Sequence, residues 1–459
     1  MYRMSTTRSV RQNRAAARRN RWGSSLLKLS ALFIMTVLVA MRAVSAQGQP
    51  VAIGVATSLS TVEGRDSLLA ARLAVEEINR HGGVRVKGTH RRLVIQTVDL
   101  KDAPAGTPAG PVLDRLEAFL AESGVHAVVV GPFRSEVLLP AMDVVARRKI
   151  PMLCAIAMSP AMESKIMSAP AAYRYVFRTG LNTRYLADSL IGYMRFLNER
   201  FGVRRVFILS QDAAWARSTV SLIIKLYFEA TGWQILGIRH TPYQTADFSD
   251  ALDEAQRKGA QVILSIFDTP HSGQLAIQWK SRRPSGLLCG FISPMMGPGA
   301  WKRFNGQISG VLNTIFELGN IPSQAYAPAT RFYTAFKSRF GREIEAGHGP
   351  APTYEAIHVL AQAVQKADSL DPDRLVSALE ATDRLGAMGR LRFNLGHQAI
   401  FGSDPKTAAV ACLIQWSTSG QRVIVAPPAL AEGKVQLPPP PCPETVSFGN
   451  IPSQHAEIK

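Results

Sequence analysis

Nine histidines, four cysteines and 34 acidic residues supply this 459-residue chain with groups for metal, nucleophilic or acid–base chemistry, so their spacing decides what they can do. No two histidines stand two, three or four residues apart, which denies a helical metal site. Cys154, Cys289, Cys412 and Cys442 are widely spaced with no CxxC, and the first three lie in apolar runs that suit buried free thiols better than bridges or zinc. No GxSxG, HExxH, GxxxxGK[ST] or GxGxxG after a strand occurs. The carboxylates are scattered, with no pair that spacing marks for glycoside chemistry. The basic clusters Arg147-Arg148-Lys149 and Arg282-Arg283 read as solvated loop charge. The sequence therefore points away from an enzyme and implies neither metal nor cofactor.

The formal charge of +19 raises the question of a nucleic-acid partner. Its distribution answers that. Nine of the 53 Lys/Arg and none of the 34 Asp/Glu fall in residues 1–46, so without that stretch the charge is +10. The stretch runs from a cationic segment into the apolar run Leu29 to Met41 and ends in the small-residue sequence Val44-Ser45-Ala46. That is the order of a secretory signal peptide cut after Ala46; the competing reading is an uncleaved N-terminal anchor. The pair Arg18-Arg19 lacks the hydrophobic context of a twin-arginine signal, and no cysteine follows the run to carry a lipid. No other stretch is long and apolar enough to span a bilayer. The expected mature chain is soluble, exported to the periplasm, monomeric and without a nucleic-acid partner.

The elements that must carry any site alternate. Val51-Ala52-Ile53-Gly54-Val55-Ala56 is a buried-type strand, and Gly64 to Arg80 places Leu68, Ala71, Val75 and Ile78 at helical spacing before a Gly82-Gly83 stop. Strands follow at Leu93–Val98, Ala127–Val130 and Ile150–Ile156, with helices at Val112–Glu122 and Val137–Arg148 between them. The pattern restarts with strands at Arg205–Leu209, Trp233–Ile238, Gln261–Phe267, Leu287–Ile292 and Val311–Phe316, and helices at Thr219–Thr231 and Phe248–Lys258. Further helices are expected at Tyr354–Lys366 and Pro372–Thr382. Two such runs imply an α/β protein of two doubly wound lobes with parallel-type sheets. From Ala426 onward, Pro438-Pro439-Pro440-Pro441 favours extended backbone, so residues 426–459 read as a mobile Pro-rich tail. The hexapeptide Gly319–Gln324 recurs at Gly449–Gln454, and nothing physical in the sequence explains the repetition.

The order of these elements resembles that of the type I periplasmic binding proteins of the branched-chain amino acid and amide class, over about residues 50–425. The resemblance rests on several stretches taken together. They are Val51–Val55 as first strand, Ala71–Asn79 with Gly82-Gly83 as first helix and cap, and Val129-Val130-Gly131-Pro132-Phe133-Arg134-Ser135 as third strand and ligand loop. Phe177-Arg178-Thr179 is similar to a crossover, and Asp247-Phe248-Ser249 to the start of a second-lobe helix. The resemblance implies lobes joined by three crossovers near Arg178–Leu181, Leu312–Phe316 and Leu391–Ala399. Residues 49–178 with 314–391 would form one lobe and 179–313 with 392–425 the other. It implies a solute-binding protein that closes on a small molecule by hinge motion and delivers it to the membrane permease subunits of an ABC importer. A ligand-sensing regulatory protein of the same fold is the alternative.

Carried over position by position, the resemblance puts Ser135, with Phe133 in the same loop, where a serine holds the ligand's polar head. The backbone of Ile156, Ala157 and Met158 stands where main chain and a threonine do likewise, and Met158 replaces that threonine. Trp215 stands where an aromatic ring covers the ligand from the second lobe. Asp268 follows a strand at a position aromatic in some relatives and acidic in others. Glu63 falls in the first loop, and Tyr354 opens a helix that faces the cleft in relatives. Met295 falls where amino acid binders place the carboxylate that pairs the ligand ammonium. An unpaired buried ammonium is costly. The role therefore passes to Asp268 or Glu63, or the ligand is a carboxylate, amide or aromatic acid. Each residue has a plainer role beside this one: Ser135 as a helix cap, Trp215, Met158 and Met295 as packing, Asp268 as a turn residue, Glu63 as loop surface.

Overall fold

A computed structural model describes residues 48–104, 106–282 and 286–438. The leader, Cys442 and the second copy of the hexapeptide lie outside them. In the first lobe β1 (Val51–Thr57) is buried along its whole length and is followed by α1 (Val62–Arg80), β2 (Leu93–Asp99), α2 (Ala109–Glu122), β3 (Ala127–Val130), α3 (Ser135–Arg148), β4 (Met152–Cys154) and β5 (Val176–Arg178). The strands pair in parallel in the order β2-β1-β3-β4-β5. Apolar residues face both ways from this sheet, so its two faces seed separate packing clusters, as a parallel sheet covered by helices requires. Thr61 starts α1, its Oγ1 accepting the Gly64 N–H at 2.9 Å. The cap brings Glu63 into the first turn, ahead of the start expected from periodicity.

The second lobe contains α4 (Thr183–Phe201), β6 (Arg205–Gln211), α5 (Ala214–Ile223), β7 (Gln234–Thr241), α6 (Ser249–Arg257), β8 (Val262–Phe267), α7 (Gly273–Ser281), β9 (Leu287–Ile292) and β10 (Leu312–Ile315). The chain then returns to the first lobe for α8 (Ala327–Phe340), α9 (Pro350–Ala367), packed along α1, and α10 (Pro372–Glu380). It ends in the second lobe with β11 (Cys412–Trp416) and β12 (Arg422–Ala426). The strand order is β12-β11-β10-β9-β8-β6-β7. Here the structure departs from an all-parallel reading: β11 pairs antiparallel with β10, and β12 with β11. The turn between β11 and β12 is short, with the Ser417 N–H donating to Gln421 O at 2.9 Å, and so tight a link can join only antiparallel strands.

The segment from Ala426, expected as a mobile tail, is packed against the second lobe over its described part. Ala426 completes β12, Leu430 and Val435 are buried, and the Gln436 N–H donates to Gln415 Oε1 at 2.7 Å. Apolar residues spaced along this segment hold it to the sheet edge before the proline run begins. The helix α4 lies outside the helices expected from periodicity. Its signals are local: Asn182 Oδ1 accepts the Tyr185 N–H at 2.8 Å, and Gly202 closes it in the left-handed region at φ +69°.

The segments that pass between the lobes are tied to each other. Arg178 N–H donates to His397 O, and Ala399 N–H to Arg178 O, each at 2.8 Å. Gln398 Nε2 donates to Gly180 O at 2.9 Å, and the Leu181 N–H to Glu317 Oε1 at 3.1 Å. The first copy of the hexapeptide sits here: Asn320 donates to Glu317 Oε2 at 3.0 Å and accepts the Ala351 N–H at 2.8 Å. The buried thiols of Cys154, Cys289 and Cys412 are free, and burial pushes Cys154 up to about 12.

Candidate ligand-binding cleft

Parallel strands end together, so the loops after them converge at one edge of each sheet. In the first lobe these loops follow β1, β3 and β4 and present Glu63, Phe133, Arg134, Ser135, Glu136, Ile156 and Met158. In the second the segments after β6 and β8 present Trp215 and Asp268, and Phe291 projects from the end of β9. All line one cleft together with His348. A larger cavity of about 380 Å³ between α4 and the Phe401–Ser403 and Ala426–Pro428 segments has no such convergence of strand ends, so it is not the candidate site.

Ser135 does not cap its own helix; its Oγ accepts the Met158 N–H at 3.3 Å and so joins the loops after β3 and β4. Asp102 positions the same loop from below, Oδ2 accepting the N–H groups of Phe133 at 2.7 Å and Arg134 at 3.1 Å. Burial raises its carboxyl above the usual range against those bonds. Trp215 lies partly buried, edge-on to Phe291 with ring centroids 5.9 Å apart, and its indole N–H has no acceptor among the described residues. Met158 and Ile156 supply apolar wall.

Polar contacts already run between the lobes. Arg134 Nη1 donates to Asp268 Oδ2 at 3.0 Å, and Ser293 Oγ donates to Glu63 Oε1 at 2.9 Å. Burial raises the Glu63 carboxyl despite the Ser293 hydroxyl and the nearby His348. These pairs draw the walls together and leave a space of about 50 Å³. His348 faces only acceptors: Nδ1 lies 2.8 Å from Glu317 Oε1 and Nε2 2.7 Å from Ile156 O. A ring with acceptors on both nitrogens must donate from both, the imidazolium form. Burial opposes that charge, but Glu317 outweighs it and raises the His348 pKa. Gly349 makes the placement possible: at φ +103° its missing Cβ would come 2.6 Å from Ser67 Oγ.

Of the residues expected from sequence, Glu63, Phe133, Ser135, Ile156, Met158, Trp215 and Asp268 meet in this cleft. Ala157 gives it no side chain, being buried in the cluster on the opposite sheet face with Met142 and Met162. Met295 is a correction. The turn Ser293–Met295 aims Ser293 at the cleft and folds Met295 into the core, where its carbonyl accepts Trp416 Nε1 at 3.1 Å. Tyr354 is a second correction. Its hydroxyl donates to Glu77 Oε2 at 2.6 Å and its ring packs on Phe332 at 4.4 Å, in a separate surface cavity. The cleft end of α9 is its N-terminus, so His348, ahead of the helix, takes the position expected of Tyr354. Arg134 adjoins Ser135 in the loop after β3 but is not among the residues expected from sequence; its reach across the cleft to Asp268 is a tertiary fact.

Comparison with known proteins agrees with this architecture. Residues 50–404 match the family model described as periplasmic binding protein. The Leu/Ile/Val-binding protein homolog 8 of Brucella melitensis is 23% identical over 383 residues, 82% of this chain and 89% of that protein. The leucine-, isoleucine-, valine-, threonine- and alanine-binding protein of Pseudomonas aeruginosa is 24% identical over 330 residues, 71% of this chain and 79% of its own. Among solved structures, a branched-chain amino acid transporter substrate binding protein from Streptococcus pneumoniae in complex with isoleucine is similar with a TM-score of 0.66 at 18% identity, covering 82% of this chain and all of that one (100%). A leucine binding protein from Thermotoga maritima is similar with a TM-score of 0.64 at 17% identity, covering 82% and 98%. The fold is that of the type I periplasmic binding proteins, and the family binds solutes rather than transforming them. With more than half its length matched by that model, the chain belongs to the periplasmic binding protein family.

Proposed function

We propose that this protein captures a small molecule outside the cytoplasm and delivers it to the permease subunits of an ABC importer, closing its two lobes over the ligand by hinge motion. The observation that carries the reading is the cleft itself. Loops from the carboxyl ends of parallel strands in both lobes face one another, and the connecting segments lie bonded together behind them. The ligand is an amino acid, an amide or a small carboxylate. Ser135 and the Ile156–Met158 backbone hold its polar head, while Trp215 and Phe133 cover its apolar part. The leader ending at Ala46 directs export to the periplasm. The names of the Brucella and Pseudomonas relatives support an amino acid or a close analogue.

Native mass spectrometry of protein freshly purified from the periplasm tests this. A second mass peak, heavier by one small molecule and lost on mild activation, is expected. The polypeptide mass alone, from gently prepared protein, would count against a high-affinity solute binder.

A further inference from the structure

His348 joins the segments that pass between the lobes to the loops that line the cleft. Glu317, just beyond β10, is fully buried, and its two oxygens accept four donors. Oε1 accepts His348 Nδ1 at 2.8 Å and the Leu181 N–H at 3.1 Å, while Oε2 accepts Asn320 Nδ2 at 3.0 Å and the Gly349 N–H at 3.3 Å. The other ring nitrogen, Nε2, reaches Ile156 O at 2.7 Å, and that carbonyl has no further donor among the described residues. The loop it belongs to is tied at both ends. The Ala155 N–H donates to Val130 O at 2.9 Å, and the Thr183 N–H to Met158 O at 3.0 Å. His348 is the tie at its middle.

Both ring contacts need a proton on each nitrogen. A neutral ring has one N–H and must turn a lone pair on the second oxygen. Glu317 is charged and fixed by three other donors, so the single N–H stays with it. Ile156 O then loses its donor, and a buried carbonyl left without one is costly enough to shift the loop. The surroundings favour the protonated ring. Glu63, on α1, is the second carboxyl that faces it. Asp66, also on α1, is bonded to Arg342 and to the N–H groups of Glu345 at 2.8 Å and Ala346 at 3.1 Å. Glu345 accepts the Gly299 N–H at 3.1 Å, Arg134 is paired with Asp268 at 3.0 Å, and Glu136 is exposed at the rim. The first turn of α9 carries no charge, and the Phe316 ring lies edge-on to the imidazole at 4.9 Å. Burial opposes the charge, but Glu317, the Ile156 carbonyl and Glu63 outweigh it and hold the His348 pKa above 6.5.

We propose that the proton on His348 regulates the cleft: with it, the ring bridges Glu317 and Ile156 O and holds the Ile156–Met158 backbone in its cleft-lining arrangement, and without it the bridge opens and the ligand is held more weakly. This rests on the solute-binding reading and adds pH regulation of the same cleft, with His348 as a positioning residue. Affinity is full below the ordinary histidine value and falls as pH rises through the raised one. By the same linkage, a bound ligand makes the ring hold its proton more tightly.

The test uses the full mature chain, isotope-labelled in its histidine rings and backbone amides, followed by NMR as pH rises from below 6.5 to above it. The ring signal assigned by its loss in His348→Gln should titrate with a midpoint above 6.5. The amides of Ala157 and Met158 should shift with that midpoint in the wild type and not in His348→Gln. Glu317→Gln, which removes the charge that holds the proton, should lower the midpoint for ring and amides alike. The common L-α-amino acids are then screened by thermal unfolding, and the tightest is titrated by calorimetry over the same range. Its affinity should fall about fivefold or more with rising pH in the wild type and change by less than about twofold in His348→Gln. Circular dichroism confirms folding, and if His348→Gln does not fold, the wild-type and Glu317→Gln midpoints decide. Amides that ignore the titration of the ring overturn the inference, whatever binds. A wild-type affinity that follows the His348→Gln profile overturns it equally. If the amides follow the ring and no amino acid binds, the coupling is supported and the result counts against the solute reading alone.

Discussion

Ser135 Oγ accepts the Met158 N–H at 3.3 Å, and Ser135 lines the cleft, so one residue both joins two loops and faces the cleft. Ser135→Ala is expected to weaken ligand binding by about 1–3 kcal/mol, the range for leaving a buried partner unsatisfied. Unchanged affinity by calorimetry, with the fold intact, would reduce Ser135 to a link between loops. His348 makes a pH prediction. Its pKa is raised above the ordinary 6.5 by Glu317, against burial. The native state therefore holds this proton more tightly than the unfolded chain. The stabilisation is complete below the ordinary value and is lost as pH rises through the raised one. The difference in unfolding free energy between wild type and His348→Gln should be largest below the ordinary histidine value and shrink as pH rises above it in urea titrations. A gap that grows with pH would contradict the imidazolium assignment. Comparison with the variant is needed because His126, His240 and His397 are shifted down by burial and contribute the opposite slope.

At the scale of elements, β5 and the Leu391–Ala399 segment lie bonded together where the chain passes between the lobes, and Arg178 is the side chain that joins them. It is fully buried, with Nη1 donating to Glu163 Oε1 and Gln398 Oε1 at 3.0 Å each and Nη2 to Ser159 O at 2.6 Å. Burial lowers its pKa and the Glu163 carboxylate supports it. Arg178→Met keeps the volume but leaves Glu163 and Gln398 without their donor. The expected loss is about 3 kcal/mol in chemical denaturation, at the lower end for a broken buried pair because Glu163 is partly exposed and keeps a bond from Asn182. A loss under about 1 kcal/mol would mean that the crossing segments hold together by backbone bonds alone. The loop after β3 shows local strain as well. Val130 and Gly131 both have positive φ, +74° and +72°, and for a β-branched residue that is unusual. The turn it makes sends Phe133, Arg134 and Ser135 out over the strand ends rather than along them.

For the whole molecule, two lobes with separate sheets meet at the cleft and at the crossing segments, the arrangement that the proposed closure over a ligand requires. Arg134–Asp268 and Ser293–Glu63 are contacts that the proposed opening would break, whereas the Arg178 and Glu317 bonds lie among the crossing segments. Export is also a property of the whole chain. No helix among the described residues is long and apolar enough to cross a membrane, and nine cationic residues precede Gln47. N-terminal sequencing of periplasmic protein is expected to begin near Gln47. A start before Leu29 would show that the leader is kept as an anchor.

The fold class, and the strand ends whose loops line the cleft, were legible in the sequence. Buried runs such as Val51–Ala56 and Leu287–Ile292 admit little but parallel strands. Chain direction then fixes which loops gather at the cleft, and the family resemblance put Ser135, Met158, Trp215 and Asp268 on or beside those loops. Tertiary structure decided what depends on side-chain direction or on segments far apart in the chain. Met295 and Ser293 are two residues apart, and a single turn of backbone sends one into the core and the other to the cleft. Tyr354 lost its expected place because helical periodicity turns it toward Glu77. The pairing of Arg134 with Asp268, 134 residues away, has no signature in local pattern. Spacing along a chain records which face of an element a residue occupies, but not what the opposite lobe brings against it. In this cleft the charges that meet are set by how the two lobes come together.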